Sequence, residues 1–176
     1  MQLLHTVKRI VLVLLSVLAV VALLLFVLGL SNRPPSERKL VQNFQNHRAS
    51  YERLRDMLLA DDGLERVASW GVKTTNSVIT KPPAGNFPVS RYNEYVSLLK
   101  DVDAEGAFRD QGQNPDVGIS VWASGWAGDT RHIAVYWLNH KPSNEVASLD
   151  DFYRTPKPRR PVFRHLDGNW YLWADW

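Results

Sequence analysis

The chain of 176 residues predicts an α+β domain on a single N-terminal transmembrane helix, with amphipathic helices packed on an antiparallel sheet of two or more hairpins. Three observations carry that expectation. An uncharged apolar run fills positions 10 to 30. Behind it apolar residues recur at helical spacing, and from Val117 onward they recur at every second position. Helices first and strands later is the order of an α+β fold, not of alternating parallel units.

The run IVLVLLSVLAVVALLLFVLGL admits only Ser16 and Gly29 from outside the apolar set. As a helix it would be about 32 Å long, matching a hydrocarbon core of about 30 Å. A cleaved signal peptide has a shorter apolar region, about 7 to 15 residues, and a small-x-small exit. Leu28-Gly29-Leu30-Ser31-Asn32-Arg33 shows no such exit, so an uncleaved anchor is expected. Residues 1–9 then form a cytoplasmic tail, 10–30 the anchor, 31–36 a linker and 37–176 a soluble domain. Lys8 and Arg9 on one side nearly balance Arg33, Arg38 and Lys39 on the other. Long domains translocate largely regardless of such charges, which favours leaving the short tail in the cytoplasm. All 18 acidic residues and 19 of the 21 lysines and arginines follow the anchor, a balance of +1 that gives no case for nucleic acid. The absence of cysteine leaves the redox compartment open.

Pro34 and Pro35 stop the membrane helix, Ser36 offers an N-cap and Glu37 an acid in the first turn. Leu40, Phe44, His47, Tyr51, Leu54 and Leu58 follow at spacings of 4, 3, 4, 3 and 4, one face of a long helix ended by Asp61-Asp62-Gly63. A coiled-coil seam would want Leu and Ile where this stripe has His47 and two aromatics, so packing on the chain's own sheet is expected. Residues 64–70 read as a short helix, 72–80 as a strand and 82–88 as a loop. Ser90 reads as the cap of a second helix with Tyr92, Tyr95, Val96 and Leu99 on one side. VGISVWAS and RHIAVYWL form a hairpin around the glycine-rich 125–129, a helical turn is expected at 148–153, and PVFRHL and NWYLWADW form a second hairpin.

Alternation assigns the faces. Phe163, His165, Trp170, Leu172, Ala174 and Trp176 are expected on the core side, with Val162, Arg164, Leu166, Tyr171, Trp173 and Asp175 opposite. In the first hairpin Ile119, Val121, Ala123, Ile133, Val135 and Trp137 group together, leaving Ser120, Trp122, His132, Ala134, Tyr136 and Leu138 on the other side. Trp122, Trp126, Tyr171 and Trp173 are therefore the candidates for an exposed aromatic patch, with Arg164 stacked beside Tyr171 or Trp173.

Motifs for chemistry are sparse. The five histidines, at 5, 47, 132, 140 and 165, form no close pair, so no metal site and no cofactor are expected. No phosphate-binding glycine loop and no G-x-S-x-G occurs. Asp101, Asp103, Glu105 and Gly106 copy the start of a calcium loop, but Arg109 and Gly112 stand where later ligands belong, and a helix end closed by Gly106 is the better reading. Arg154, Lys157, Arg159 and Arg160 cluster in a proline-rich segment suited to anionic headgroups or an acidic partner, a solvated loop being the default.

The succession of an anchor, the helix LVQNFQNHRASYERLRDMLLAD, a second helix opening on S-R-Y-x-E-Y, a hairpin and a closing GNWYLWADW resembles a family of small bacterial membrane-anchored envelope proteins with no assigned activity. The resemblance spans residues 36 to 176 and rests mainly on FQNHRASYERLRDML and the terminal aromatic strand. It implies a bacterial envelope location and no activity, and carries over no functional residue; together with the anchor this gives the expectation of a single-pass inner-membrane protein whose domain is periplasmic or extracellular. The expectation is a non-enzymatic interaction domain that binds a protein partner through Trp122, Trp126, Arg164, Tyr171 and Trp173, toxin immunity being one version. The alternatives are an enzyme or small-ligand receptor using His47, Glu52, His132 or His165 in a pocket between helix and sheet, and an accessory subunit of a membrane complex.

Overall fold

The structure is a computed structural model of the chain and describes residues 15–23, 33–75, 77–82, 87–110, 115–126, 129–154 and 161–175. Two compact units divide the chain, Met1–Pro34 and Pro35–Trp176. In the first, residues 15–23 are helical and present exposed apolar side chains such as Leu15, Leu18 and Leu23. The rest of the expected anchor, 10–14 and 24–30, lies outside the described residues. Among the described residues no helix is long and apolar enough to cross a membrane.

The second unit is α+β. Helices α1 (Glu37–Asn46) and α2 (Arg48–Ala60) precede strands β1 (Leu64–Ala68) and β2 (Gly71–Thr74). Helix α3 (Val89–Asp101) leads to β3 (Gly106–Arg109), β4 (Val117–Trp126) and β5 (Asp129–Trp137). A short α4 (Leu149–Arg154) precedes β6 (Val162–Asp167) and β7 (Trp170–Asp175). The strands form one sheet in the order β2-β1-β3-β4-β5-β7-β6, antiparallel at every step.

The expected single helix is two. Ser36 caps α1, its hydroxyl accepting from the Lys39 N–H at 3.4 Å. The helix breaks at His47, which leaves helical geometry at φ −117° and ψ 25°, in a stretch whose Asn43, Asn46 and His47 are weak helix formers. Its ring Nδ1 sits 3.0 Å from the Asn43 carbonyl. The apolar stripe survives the break: Leu40, Phe44, Tyr51, Leu54 and Leu58 are buried, joined by Met57. They pack on Ile119, Ile133, Val135, Trp170 and Leu172 from the sheet, in the chain's own core as the stripe's composition predicts.

Residues 64–70 are not a helix. β1 lies between β2 and β3 and pairs with both, and tertiary pairing overrides the helical propensity of so short a segment. β2 ends at Thr74, and Thr80 rejoins it only through an isolated bridge to Val72. Ser90 is not a cap, because Pro88 occupies that position and Ser90 lies in the first turn of α3. The end of α3 is closed by Asp103 and not by Gly106. Asp103 takes a left-handed φ of 55° while the Ala104 N–H donates to the Leu99 carbonyl at 2.8 Å and the Asp103 N–H to Lys100 at 3.2 Å. That is a Schellman cap with an aspartate in the glycine position. Gly106 instead opens β3, where a Cβ would stand 2.9 Å from the Val67 carbonyl oxygen.

β-bulges in β1, where the register shifts between Leu64 and Arg66, and in β4 and β6 decide which side chains face the helices. In β4 the register shifts between Ser120 and Trp122, so Trp122 pairs with Ile133, and Ala123 with His132. In β6 it shifts between His165 and Asp167, so His165 pairs with Tyr171, and Phe163 with Trp173. One extra residue in a strand reverses the side of everything beyond it. Trp122 therefore packs against the helix-covered core, and Phe163 and His165 move away from it.

Arg164 moves the other way. Across from Leu172, its Nε lies 2.8 Å from Glu37 Oε1. Glu37 also accepts the Leu149 N–H at 2.7 Å, while Asp150 accepts the Glu37 N–H at 3.0 Å. The first turns of α1 and α4 thus cap each other, and Arg164 ties that pair to β6. It is not the exposed partner of Tyr171 or Trp173 that strict alternation predicts.

Candidate functional site

The sheet has a second face, away from the helices. The helices' buried residues all join one core cluster that excludes Phe108, Tyr136, Phe163, Tyr171 and Trp173. Backbone register places these five in two adjacent rows. Phe108 stands opposite Gly118, Gly118 opposite Tyr136, Tyr136 opposite Tyr171 and Tyr171 opposite His165. The neighbouring row runs Ser120, Ala134, Trp173 and Phe163. Large rings thus lie alongside the small Ser120 and Ala134.

The rings touch in sequence across four strands. Phe108 and Tyr136 centroids are 5.5 Å apart, Tyr136 and Trp173 5.5 Å, Tyr136 and Phe163 6.1 Å, Phe163 and Tyr171 6.3 Å, and His165 and Tyr171 5.1 Å. Gly118 makes the first contact feasible: a Cβ there would fall 2.4 Å from Phe108 Cζ, so only glycine lets the phenylalanine lie across β4. Edge-to-face and tilted geometry lets such rings pack one another while each keeps part of its surface exposed. Tyr171 is buried, whereas Phe108, Tyr136, Phe163 and Trp173 are half-buried.

Charge surrounds this floor. Burial first, and then the carboxylates of Asp110 and Asp116, push the Tyr136 phenol well above its ordinary range; Asp175 adds to the rise and Arg66 opposes it. Asp110 is itself held above the usual carboxylate range, by burial and then by Asp116. Asp116 accepts the Asn139 N–H at 2.9 Å and lies 3.7 Å from His140 Nδ1. The Arg66 guanidinium sits 5.9 Å from the Phe108 centroid.

Of the sequence-predicted surface residues, the structure brings Tyr171 and Trp173 together here and removes Trp122 and Arg164. The side chain of Trp126 lies outside the described residues, as do Lys157, Arg159 and Arg160 of the basic loop. Arg154 ends α4, 3.5 Å from Asp151. The four pocket candidates do not converge. His47 sits between α1 and α2, Glu52 pairs with Arg48 at 2.7 Å, His132 pairs in register with Asp175, and the exposed His165 bonds the Gly168 carbonyl at 3.0 Å.

A cavity of about 890 Å³ lies elsewhere, between the end of α2, the start of α3 and β2, lined by Asp61, Asp62, Thr74, Ser77, Ser90 and Arg91 among others. Its one arginine is spent. Arg91 bonds Asp61 through Nε at 2.8 Å and Nη2 at 3.2 Å, and Glu94 through Nη1 at 2.9 Å, and Tyr95 donates to the same Asp61 at 2.8 Å. These bonds hold Arg91 protonated and clamp α2 to α3.

Phe108 and Phe163 are the members of the aromatic face that sequence reasoning missed. The four-residue β3 is too short to show a period, and the β6 bulge hides the parity of Phe163. The chain matches no protein-family model, no curated protein and no solved structure.

Proposed function

We propose that the chain is a membrane-anchored, non-enzymatic interaction domain of the bacterial cell envelope, binding a protein partner through the aromatic face of its sheet. The observation that carries this reading is the row of mutually packed rings from Phe108 to Tyr171 on the face that the helices leave alone. Tyrosine and tryptophan dominate the energetic centres of protein interfaces because they bury large area at small entropic cost. The 21 uncharged residues at 10–30 support the anchor, and the resemblance to small envelope proteins supports the location. A small-ligand receptor is the second reading, supported by the cavity beside Asp61 and Arg91.

A photo-crosslinking amino acid placed at Phe163 or Trp173 in the full chain, expressed in cells, tests the leading reading against the same probe at Gln42 on the exposed face of α1. A discrete adduct from both sheet positions and none from Gln42 is expected. Identical patterns from all three positions would refute it.

A further inference from the structure

Resting on the membrane anchor of that reading, we infer that the β2 edge of the sheet docks on the lipid bilayer itself, with Trp70, Val78, Ile79 and Val89 seated in its interfacial layer.

Outside residues 15–23, these four are the exposed large apolar side chains among the described residues, between 43% and 79% open to solvent. The fold gathers them on one edge. Trp70 lies in the turn between β1 and β2. Beyond β2, Val72 and Thr80 exchange both backbone hydrogen bonds, at 2.8 and 2.9 Å, which lays Val78 and Ile79 along the outer edge of the sheet. Gly71 permits that approach, since a Cβ there would stand 2.7 Å from the Thr80 carbonyl oxygen and 3.1 Å from Ile79 Cγ2. Phe87 and Pro88 line one cavity with Val72 and Thr80, so Val89 opens α3 beside the same edge. Single exposed apolar residues are ordinary, whereas a cluster of them marks a contact with a partner or a membrane.

The path of the chain favours the membrane. Helix α1 starts at Glu37 beside Arg164, level with Leu172, and by Phe44 it has reached Trp170. It runs toward the Trp170 end of β7, so the chain before it arrives from the Asp175 end. Across the sheet, Trp173 pairs with Ala134, Ala134 with Ser120, Ser120 with Gly106, Gly106 with Ala68 and Ala68 with Gly71. The Trp70 turn, just beyond Ala68 and Gly71, therefore lies at that same end. Residues 31–36 reach at most about 21 Å when fully extended, so an anchor at 10–30 brings the bilayer surface to this end of the sheet. A surface held so close by a tether is met by a small apolar patch that could not hold it alone. Tryptophan settles at the boundary of headgroup and acyl chain, and Lys81, exposed directly after Thr80, can reach the phosphates while its stem covers apolar surface.

The test uses the full-length protein in vesicles of phosphatidylethanolamine and phosphatidylglycerol. The chain contains no cysteine, so nitroxide labels are attached one at a time to the variants Val78→Cys, Val89→Cys, Gln42→Cys and Leu18→Cys, each checked for an unchanged circular dichroism spectrum. Depth is read from the relative accessibility of each label to oxygen and to a water-soluble nickel chelate. Labels at 78 and 89 are expected about 5 to 10 Å into the boundary of headgroups and acyl chains, the label at 18 deeper and the label at 42 in water. Adding Trp70→Glu and Ile79→Glu should return the labels at 78 and 89 to water; labels that stay at depth overturn the patch as the cause. Labels at 78 and 89 as wet as that at 42, with 18 in the hydrocarbon, overturn the docking and leave the anchor standing. A label at 18 in water overturns the anchor and the docking with it. Shielding of 78 and 89 in native membranes but not in vesicles assigns the edge to a protein and overturns the bilayer.

Discussion

Two tryptophans three residues apart on the same strand should behave differently when truncated. Trp170 is 2% exposed, with its ring 5.5 Å from Phe44 and 6.2 Å from Tyr51 and the Arg55 guanidinium 5.8 Å away. Removing a ring so enclosed costs about 3 to 5 kcal/mol. Trp173 is half-buried and packs on Tyr136 at 5.5 Å. One aromatic pair and a partial burial amount to about 1 to 2 kcal/mol. With a urea slope of about 2 kcal/mol per molar, Trp170→Ala lowers the unfolding midpoint by about 1.5 to 2.5 M and Trp173→Ala by less than about 1 M. Far-UV circular dichroism during urea titration measures both without depending on the tryptophans themselves. Equal shifts would refute the assignment of the two residues to different faces.

Other consequences are as direct. Glu37 and Arg164 should couple by about 1 to 2 kcal/mol in a double-mutant cycle of alanine variants, because the pair is largely shielded and Glu37 also caps α4. Additive losses would return Arg164 to the open face. Asp103→Gly should stabilise the fold by about 0.5 to 1 kcal/mol, since glycine takes the left-handed cap without a Cβ penalty; a lower melting temperature would contradict the cap. The folded pKa of Asp110 is raised above its ordinary 3.8, so its protonated form favours folding. That contribution is fully present below pH 3.8 and lost as pH rises through the raised value. Asp110→Asn should therefore be more stable than wild type at neutral pH, with the gain vanishing in acid. A gain that persists unchanged at low pH would refute the origin given for the shift.

The core helices were legible because burial writes its period into the sequence: Leu40, Phe44, Tyr51, Leu54 and Leu58 could be placed from spacing alone. The break at His47 was not, since a single residue leaving helical geometry keeps the stripe in phase. The α+β class and both C-terminal hairpins were also legible, though helices and strands interleave, with β1 and β2 ahead of α3, where the sequence suggested helices first and strands later. Face assignment failed at the bulges for a definite reason. In VFRHLD both parities carry apolar residues, Val162 and Leu166 on one and Phe163 on the other, so nothing in the composition marks the inserted position. In β4 the same ambiguity between Val121 and Trp122 misplaced the tryptophan. Three of the five rings of the aromatic face were therefore visible in the sequence, Tyr136, Tyr171 and Trp173. The other two, Phe108 and Phe163, depended on long-range pairing that no local pattern encodes.

The proposed docking requires the aromatic face to be open in the isolated chain and covered by a partner in native membranes. The sequence contains no cysteine, so single cysteines at Phe163, His165 and Trp173, and as controls at the buried Leu172 and Ala174, report this without background. Maleimide labelling is compared between purified protein and native membranes. Labelling is predicted at 163, 165 and 173 but not at 172 and 174 in the purified protein, and protection of those same three positions in native membranes. Equal labelling of 163, 165 and 173 in both preparations would contradict it.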